Sequence, residues 1–179
     1  QRNPNFYDLQ LNIHHHEHCH STAIAQWPAA SLGRTRADQF TAWGFTPGLN
    51  DPKNHSKFLE EIEASCETAK KLDCKMMTVV GGNDIKDVSQ EKMHENIIEG
   101  LKKAAPIAEK HGIMLILEPM NIKVDHKGHC LYGSAPATKI IRAVNSPMVK
   151  LNWDLYHMYI TEGNLLENLK KGLDCVGYL

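Results

Sequence analysis

Three short apolar runs recur about every 35 residues: MMTVV at 76–80, IMLILEP at 113–119 and MVKLNWD at 148–154. Between them lie stretches of helical period. Phe58, Leu59, Ile62, Cys66, Ala69 and Leu72 fall three and four apart, and Met93, Ile97, Leu101, Ala105 and Ala108 do the same. Asp51-Pro52 and Ser89 are start signals for these two helices, and Gly112 is a stop. IMLILEP has no polar alternation, as expected of a strand covered on both faces of a parallel sheet. A helix around Pro136–Val144, another over Leu165–Leu173 and a strand beginning in CVGYL complete a βαβαβαβ pattern. The repeat is close to the ~31 residues per unit of an eight-unit barrel, which favours a barrel over a doubly wound sheet. At this repeat 179 residues hold at most about five units. The expected fold is therefore α/β, a (β/α) TIM-barrel type that is incomplete, with about four β/α units.

A chain of this length can bury one substantial core, and the regular pattern occupies residues 45–179. Residues 1–44, rich in His, do not share it and stay unassigned. No apolar run approaches the ~18 residues of a membrane span. Formal net charge is −1 with no block of Lys or Arg, so neither nucleic acid nor an acidic membrane surface is an expected partner. Five cysteines without a CxxC pair read as reduced thiols in a cytoplasmic setting. The first residue is Gln1, from which a processed or fragmentary amino end is expected.

In a barrel, chemistry sits at the carboxyl ends of the strands. Glu118 ends one apolar run and Asp154 ends the next, so one βα unit places two carboxylates side by side. Carboxylate oxygens suit Mg²⁺ or Mn²⁺. His157 follows Asp154 by three residues and faces the same way on a helical turn. Three roles are open to it: metal ligand, hydrogen-bond partner of a substrate oxygen, or helix cap. Asn121, Asn83, Gly81 and Gly82 also fall at strand ends, where each serves either a turn or a pocket wall.

HHHEHCH at 14–20 is the densest group of ligand-type side chains. His14, His16, His18 and His20 share a face in a strand, whereas His14, Glu17 and His18 converge in a helix. A specific site needs one geometry and rigid support, and nothing nearby supplies it, so adventitious binding of Zn²⁺, Ni²⁺ or Cu²⁺ is the expectation there. No GxGxxG, GxxxxGK[ST] or GxSxG occurs.

From about Phe45 onward the chain resembles the hydroxypyruvate isomerase branch of the xylose isomerase-like TIM-barrel superfamily. The resemblance is carried by GLNDP at 48–52, ILEPMN at 116–121, DHKGHCL at 125–131 and SPMVKLNWDLYHMYITEGNL at 146–165. It implies a span from roughly the fourth strand to the start of the seventh. It also implies a divalent ion held by a glutamate on the fifth strand, an aspartate on the sixth, a His or Gln on the seventh and a second glutamate on the eighth. Glu118 and Asp154 match the first two; Glu118 is then also one of the two catalytic acid–base groups, and His157 the contact to substrate oxygens.

The implied function is metal-dependent aldose–ketose isomerisation of a small hydroxy-oxo acid or sugar. Ketose epimerases and inosose dehydratases of the same superfamily are the alternatives, but epimerases often carry a second acid six residues after the first ligand, where Val124 stands here. A DNA-repair endonuclease of this fold would need more His and Asp ligands and a basic surface. A truncated, non-catalytic metal-binding protein using the His cluster is the non-enzymatic alternative. The seventh- and eighth-strand ligands are not recognisable, so little activity is expected of the 179-residue chain alone. The open sheet edges of such a partial barrel lead to an expectation of self-association, as a homo-oligomer or aggregate.

Overall fold

The computed structural model describes residues 38–179, and the His14–His20 cluster lies outside them. Five strands form one sheet: β1 (Gln39–Trp43), β2 (Met76–Val80), β3 (Met114–Glu118), β4 (Val149–Asn152) and β5 (Val176–Tyr178). Their order is β1-β2-β3-β4-β5, and every neighbouring pair is parallel. A parallel sheet whose spatial order equals its chain order is wound in one sense. It has no reversal point, which is the arrangement of a barrel and not of a doubly wound sheet.

Helices α1 (His55–Lys71), α2 (Gln90–His111) and α3 (Ser134–Val144) connect β1 through β4, and α4 (Leu155–Glu162) with α5 (Leu165–Gly172) connects β4 to β5. Strand periodicity divides the sheet into two faces. Met77 and Val79, Leu115 and Leu117, and Val149 and Leu151 join the helices in the hydrophobic core, with Phe58, Ile62, Ile97, Leu101, Ile140 and Ile141 among their partners. The alternate residues Thr78, Val80, Ile116, Glu118, Lys150 and Asn152 share the other face. Cys66, Cys74, Cys130 and Cys175 are buried free thiols, matching the reduced state expected of them. Burial pushes Cys66 up to about 11 and Cys130 up to about 12, so neither is a thiolate nucleophile near neutral pH.

The helix signals lie near the observed ends. Ser89 Oγ accepts from the Lys92 N–H at 3.2 Å at the start of α2, and Gly112 closes that helix at φ 65°. Asp51 caps a short 3-10 turn, Pro52–Asn54, which precedes α1.

Two elements differ from the sequence reading. β1 lies inside the segment left unassigned, so the fold begins before residue 45. QFTAW is short and only half apolar, and part of what holds it is tertiary: the Thr78 hydroxyl donates to Gln39 Oε1 at 2.7 Å across the β1–β2 pair. The second is α4, which no apolar period announces. Its start is fixed by Asp154, and its far end is tied back when Glu162 Oε2 accepts the Ser134 N–H at the start of α3, at 3.1 Å.

Candidate functional site

The site is built from the register of β3 and β4. Ile116 pairs with Lys150 and Leu117 with Leu151, so one step further Glu118 stands beside Asn152. Asn152 hydrogen-bonds to the Glu118 carboxyl group. The next residue, Trp153, is fully buried and its backbone N–H donates to the Tyr178 carbonyl at 2.9 Å. Its ring packs so closely on Gly172 that a Cβ there would lie 2.7 Å from Cζ3. This anchor fixes where the chain emerges from the sheet.

Asp154 then caps α4. Its Oδ1 accepts from the Tyr156 N–H at 2.8 Å and from the His157 N–H at 3.3 Å. The cap turns the helix so that His157 comes back over the carboxylate that starts it. One potential ligand atom each from Glu118, Asp154 and His157 lies within 4.8 Å of the others. Among the described residues this is the one group of three His, Cys, Asp or Glu side chains so placed.

Glu118 is held far from its ordinary state. Burial, followed by the charge of Asp154, pushes its pKa up to about 7, and the Asn152 hydrogen bond only partly opposes this. No basic group is among the causes. Two carboxylates in this position need either a shared proton or a cation between them.

The β3–α3 loop, residues 119–133, closes over one side. Cys130 N–H donates to the Gly82 carbonyl at 3.0 Å and Asp84 N–H to the Gly128 carbonyl at 2.7 Å, which ties the loop to the end of β2. Asn83 sits in the same seam, bridged through its backbone to His129 with an exposed side chain. Gly82 is there for close approach: φ is 113°, and a Cβ would lie 2.6 Å from the Gly48 Cα. That favours the turn role for this glycine.

Asn121 is fully buried and its amide is engaged on both sides. Oδ1 accepts from the Val124 and Asp125 N–H groups, each at 3.1 Å, while Nδ2 donates to Asp125 Oδ2 at 2.8 Å and lies 2.8 Å from His157 Nδ1.

Sequence reasoning attached no role to Phe45, Asp125, His126, His129 or Tyr156. His126 stacks on Phe45 at 5.0 Å and meets the His157 ring edge-on at 5.3 Å. Tyr156 Oη donates to Asp125 Oδ2 at 2.7 Å. His129 is buried against Phe45, and burial drives its pKa down to about 4. The stretch DHKGHCL contains three of the five, but their meeting with His157 depends on a turn with no periodic signature.

A family model described as xylose isomerase-like TIM barrel matches residues 14–179. The chain is 30% identical over 128 residues to the hydroxypyruvate isomerase of Escherichia coli (strain K12), covering 72% of this chain and 49% of that protein. It is 25% identical over 128 residues to the 2-oxo-tetronate isomerase of Cupriavidus necator, with the same coverage of 72% and 49%. The chain thus spans about half the length of the curated relatives it matches. Among solved structures it superposes on the family 2 AP endonuclease of Brucella melitensis with TM-score 0.63 at 25% identity, over 69% of this chain and 47% of that one. It also superposes on a 3-keto-D-glucoside 4-epimerase of E. coli with TM-score 0.69 at 22% identity, over 84% and 60%. The second likeness establishes the fold alone.

Proposed function

Because the chain belongs to the xylose isomerase-like TIM-barrel family, we propose that it carries the metal-holding part of an isomerase acting on a small hydroxy-oxo acid or sugar, of the hydroxypyruvate isomerase kind. The observation that carries this reading is the convergence of Glu118, Asp154 and His157 at the carboxyl ends of two adjacent parallel strands. Relatives named as isomerases of hydroxypyruvate and 2-oxo-tetronate support the reaction class.

The donor set fits a divalent oxygen-seeking cation. Glu118 and Asp154 put negative charge close together, with Glu118 raised by that neighbour, and a cation relieves the conflict. Oδ1 of Asp154 is occupied by the α4 cap, which leaves Oδ2 for the ion. Mg²⁺ and Mn²⁺ suit these oxygens. When bound, such an ion polarises the adjacent carbonyl and hydroxyl oxygens of the substrate and so acidifies the carbon-bound hydrogen.

The residues do the rest. Glu118 would be one holder of the cation, and its carboxylate takes part in moving a proton between the two adjacent carbons. Asp154 would be the second holder of the cation and, through its cap, aims His157 at the substrate oxygens. Asn83, exposed at the end of β2, offers its amide to the far end of the substrate.

The test is hydroxypyruvate turnover by protein carrying this chain, with Mg²⁺ or Mn²⁺ added, against Glu118→Gln. The reading expects metal-dependent turnover that the substitution removes. Turnover unaffected by chelation would overturn it. The 25% identity to a structure named as an AP endonuclease keeps a DNA substrate as the second reading. Net charge −1 and a single three-residue ligand group among the described residues weigh against it. Salt-dependent binding to duplex DNA decides between them.

A further inference from the structure

The amide of Asn121 can point only one way. Its Oδ1 already accepts two backbone N–H groups, from Val124 and Asp125, and a flipped amide would set that oxygen against the Asp125 carboxylate. Nδ2 therefore faces both Asp125 Oδ2 and His157 Nδ1, and it brings two hydrogens, one for each. The Asn121 backbone N–H also points at His157 Nδ1, at 3.4 Å. A nitrogen approached by two donors must supply a lone pair, so in neutral His157 the proton sits on Nε2.

We propose that Asn121, braced by Asp125, is a positioning residue that fixes His157 as the Nε2–H tautomer and so keeps it a hydrogen-bond donor and not a metal ligand. The inference rests on the isomerase reading for its purpose, though not for its geometry. In this tautomer the Nδ1 lone pair is engaged by Asn121 and Nε2 has none to give, so neither nitrogen can coordinate a cation. Glu118 and Asp154 would be the residues that hold the ion, and the imidazole would act toward a substrate oxygen as an N–H donor. Asp125 is anchored in turn by the Tyr156 hydroxyl at 2.7 Å, which links the brace to the same helix that carries His157. The aromatic contact of His126 holds the ring from another side.

Long-range ¹H–¹⁵N correlation of the histidine rings in the metal-free chain reads the tautomer directly. The spectrum is recorded at about pH 8, above the ordinary histidine range, with His157→Gln identifying the resonance. The wild type should show an aprotic Nδ1 and a protonated Nε2. Asn121→Asp, made in the Asp125→Asn background so that two carboxylates are not opposed, keeps an oxygen for the two backbone N–H groups but puts an acceptor opposite Nδ1, so the pattern should invert. Asp125→Asn alone preserves the acceptor and should leave the pattern unchanged.

A wild type with the proton on Nδ1 would overturn the proposal, and so would a double variant that keeps the wild-type pattern. If the double variant fails to fold, the wild-type and Asp125→Asn spectra still decide. In an active protein, adding Asn121→Asp to Asp125→Asn should lower kcat about 10- to 100-fold, the usual effect of losing such a supporting contact. Absence of wild-type turnover would count against the isomerase reading alone, because the tautomer is read without metal or substrate.

Discussion

Two carboxylates at opposite ends of the same sheet behave in opposite ways. Asp174 precedes β5 at the amino end, where Arg142 Nη2 meets Oδ1 at 2.7 Å and Nε meets Oδ2 at 3.1 Å. This forked pair holds Asp174 at about 2. Glu118, at the carboxyl end of β3, is half-buried beside Asp154 and stands at about 7. The base of the sheet pairs its charges in water and gains little from them. The mouth brings like charges together in a half-buried setting, a conflict that a cation would relieve. The outer helices resemble the base: Glu99 is lowered by Lys103 and Glu67 by Lys70. A raised carboxylate at the strand ends sets the candidate site apart from this ordinary surface chemistry.

The largest effect should come from Glu118→Gln. In protein that turns over, kcat should fall about 10²- to 10⁴-fold, the range for losing a positioned acid–base group. Retention of more than a tenth of the wild-type rate would show that the strained carboxylate is not catalytic.

Next is pH. His129, in the loop over the mouth, is neutral in the fold because burial lowers its pKa from 6.5 to about 4. Its contribution is complete above 6.5 and is lost as pH falls toward 4, since the unfolded chain takes up the proton first. In a Glu118→Gln background, which removes the opposing contribution of that carboxylate, urea titrations over this window should show a loss of about 3 kcal/mol, absent when His129→Gln is added in a protein that folds. A flat profile would place His129 with the solvated groups of the base.

Glu118 has the opposite sign. Its folded pKa lies above the unfolded value of 4.5, so its favourable contribution exists below 4.5 and is lost as pH rises to about 7. The metal-free Glu118→Gln protein should accordingly be more stable than wild type at pH 8, by about 2 kcal/mol. Lower stability would mean that the carboxylate is satisfied where it stands.

The smallest effect belongs to the base. Arg142→Ala removes the Asp174 pair, and both side chains are largely solvent-exposed. The urea midpoint at pH 7 should stay within measurement scatter. A clear loss would break the contrast between the two ends.

Much of this contrast was legible in the sequence. Glu118 and Asp154 close short apolar runs, and the period of two along β3 fixes which face Glu118 joins. The winding followed from the length of the repeat. β1 was not legible, because QFTAW owes part of its placement to the bond between Thr78 and Gln39. Nor was the brace on His157. Asn121, Asp125 and Tyr156 are brought together by a turn and a helix cap, and hydrogen bonds of that kind leave no periodic trace. Asp154 shows both cases: its position at a strand end was readable, and its second role as the cap of α4 was not.

The most direct test of the central claim is Mn²⁺ binding by calorimetry at about pH 8, where Glu118 is ionised, on wild type, Glu118→Gln, Asp154→Asn and a variant with His14, His16 and His18 replaced. Saturable binding that survives the histidine replacements and is lost with either carboxylate is the predicted result. Binding that follows the histidines and ignores Glu118 and Asp154 would contradict it, and would move the metal chemistry of this chain to its amino-terminal cluster.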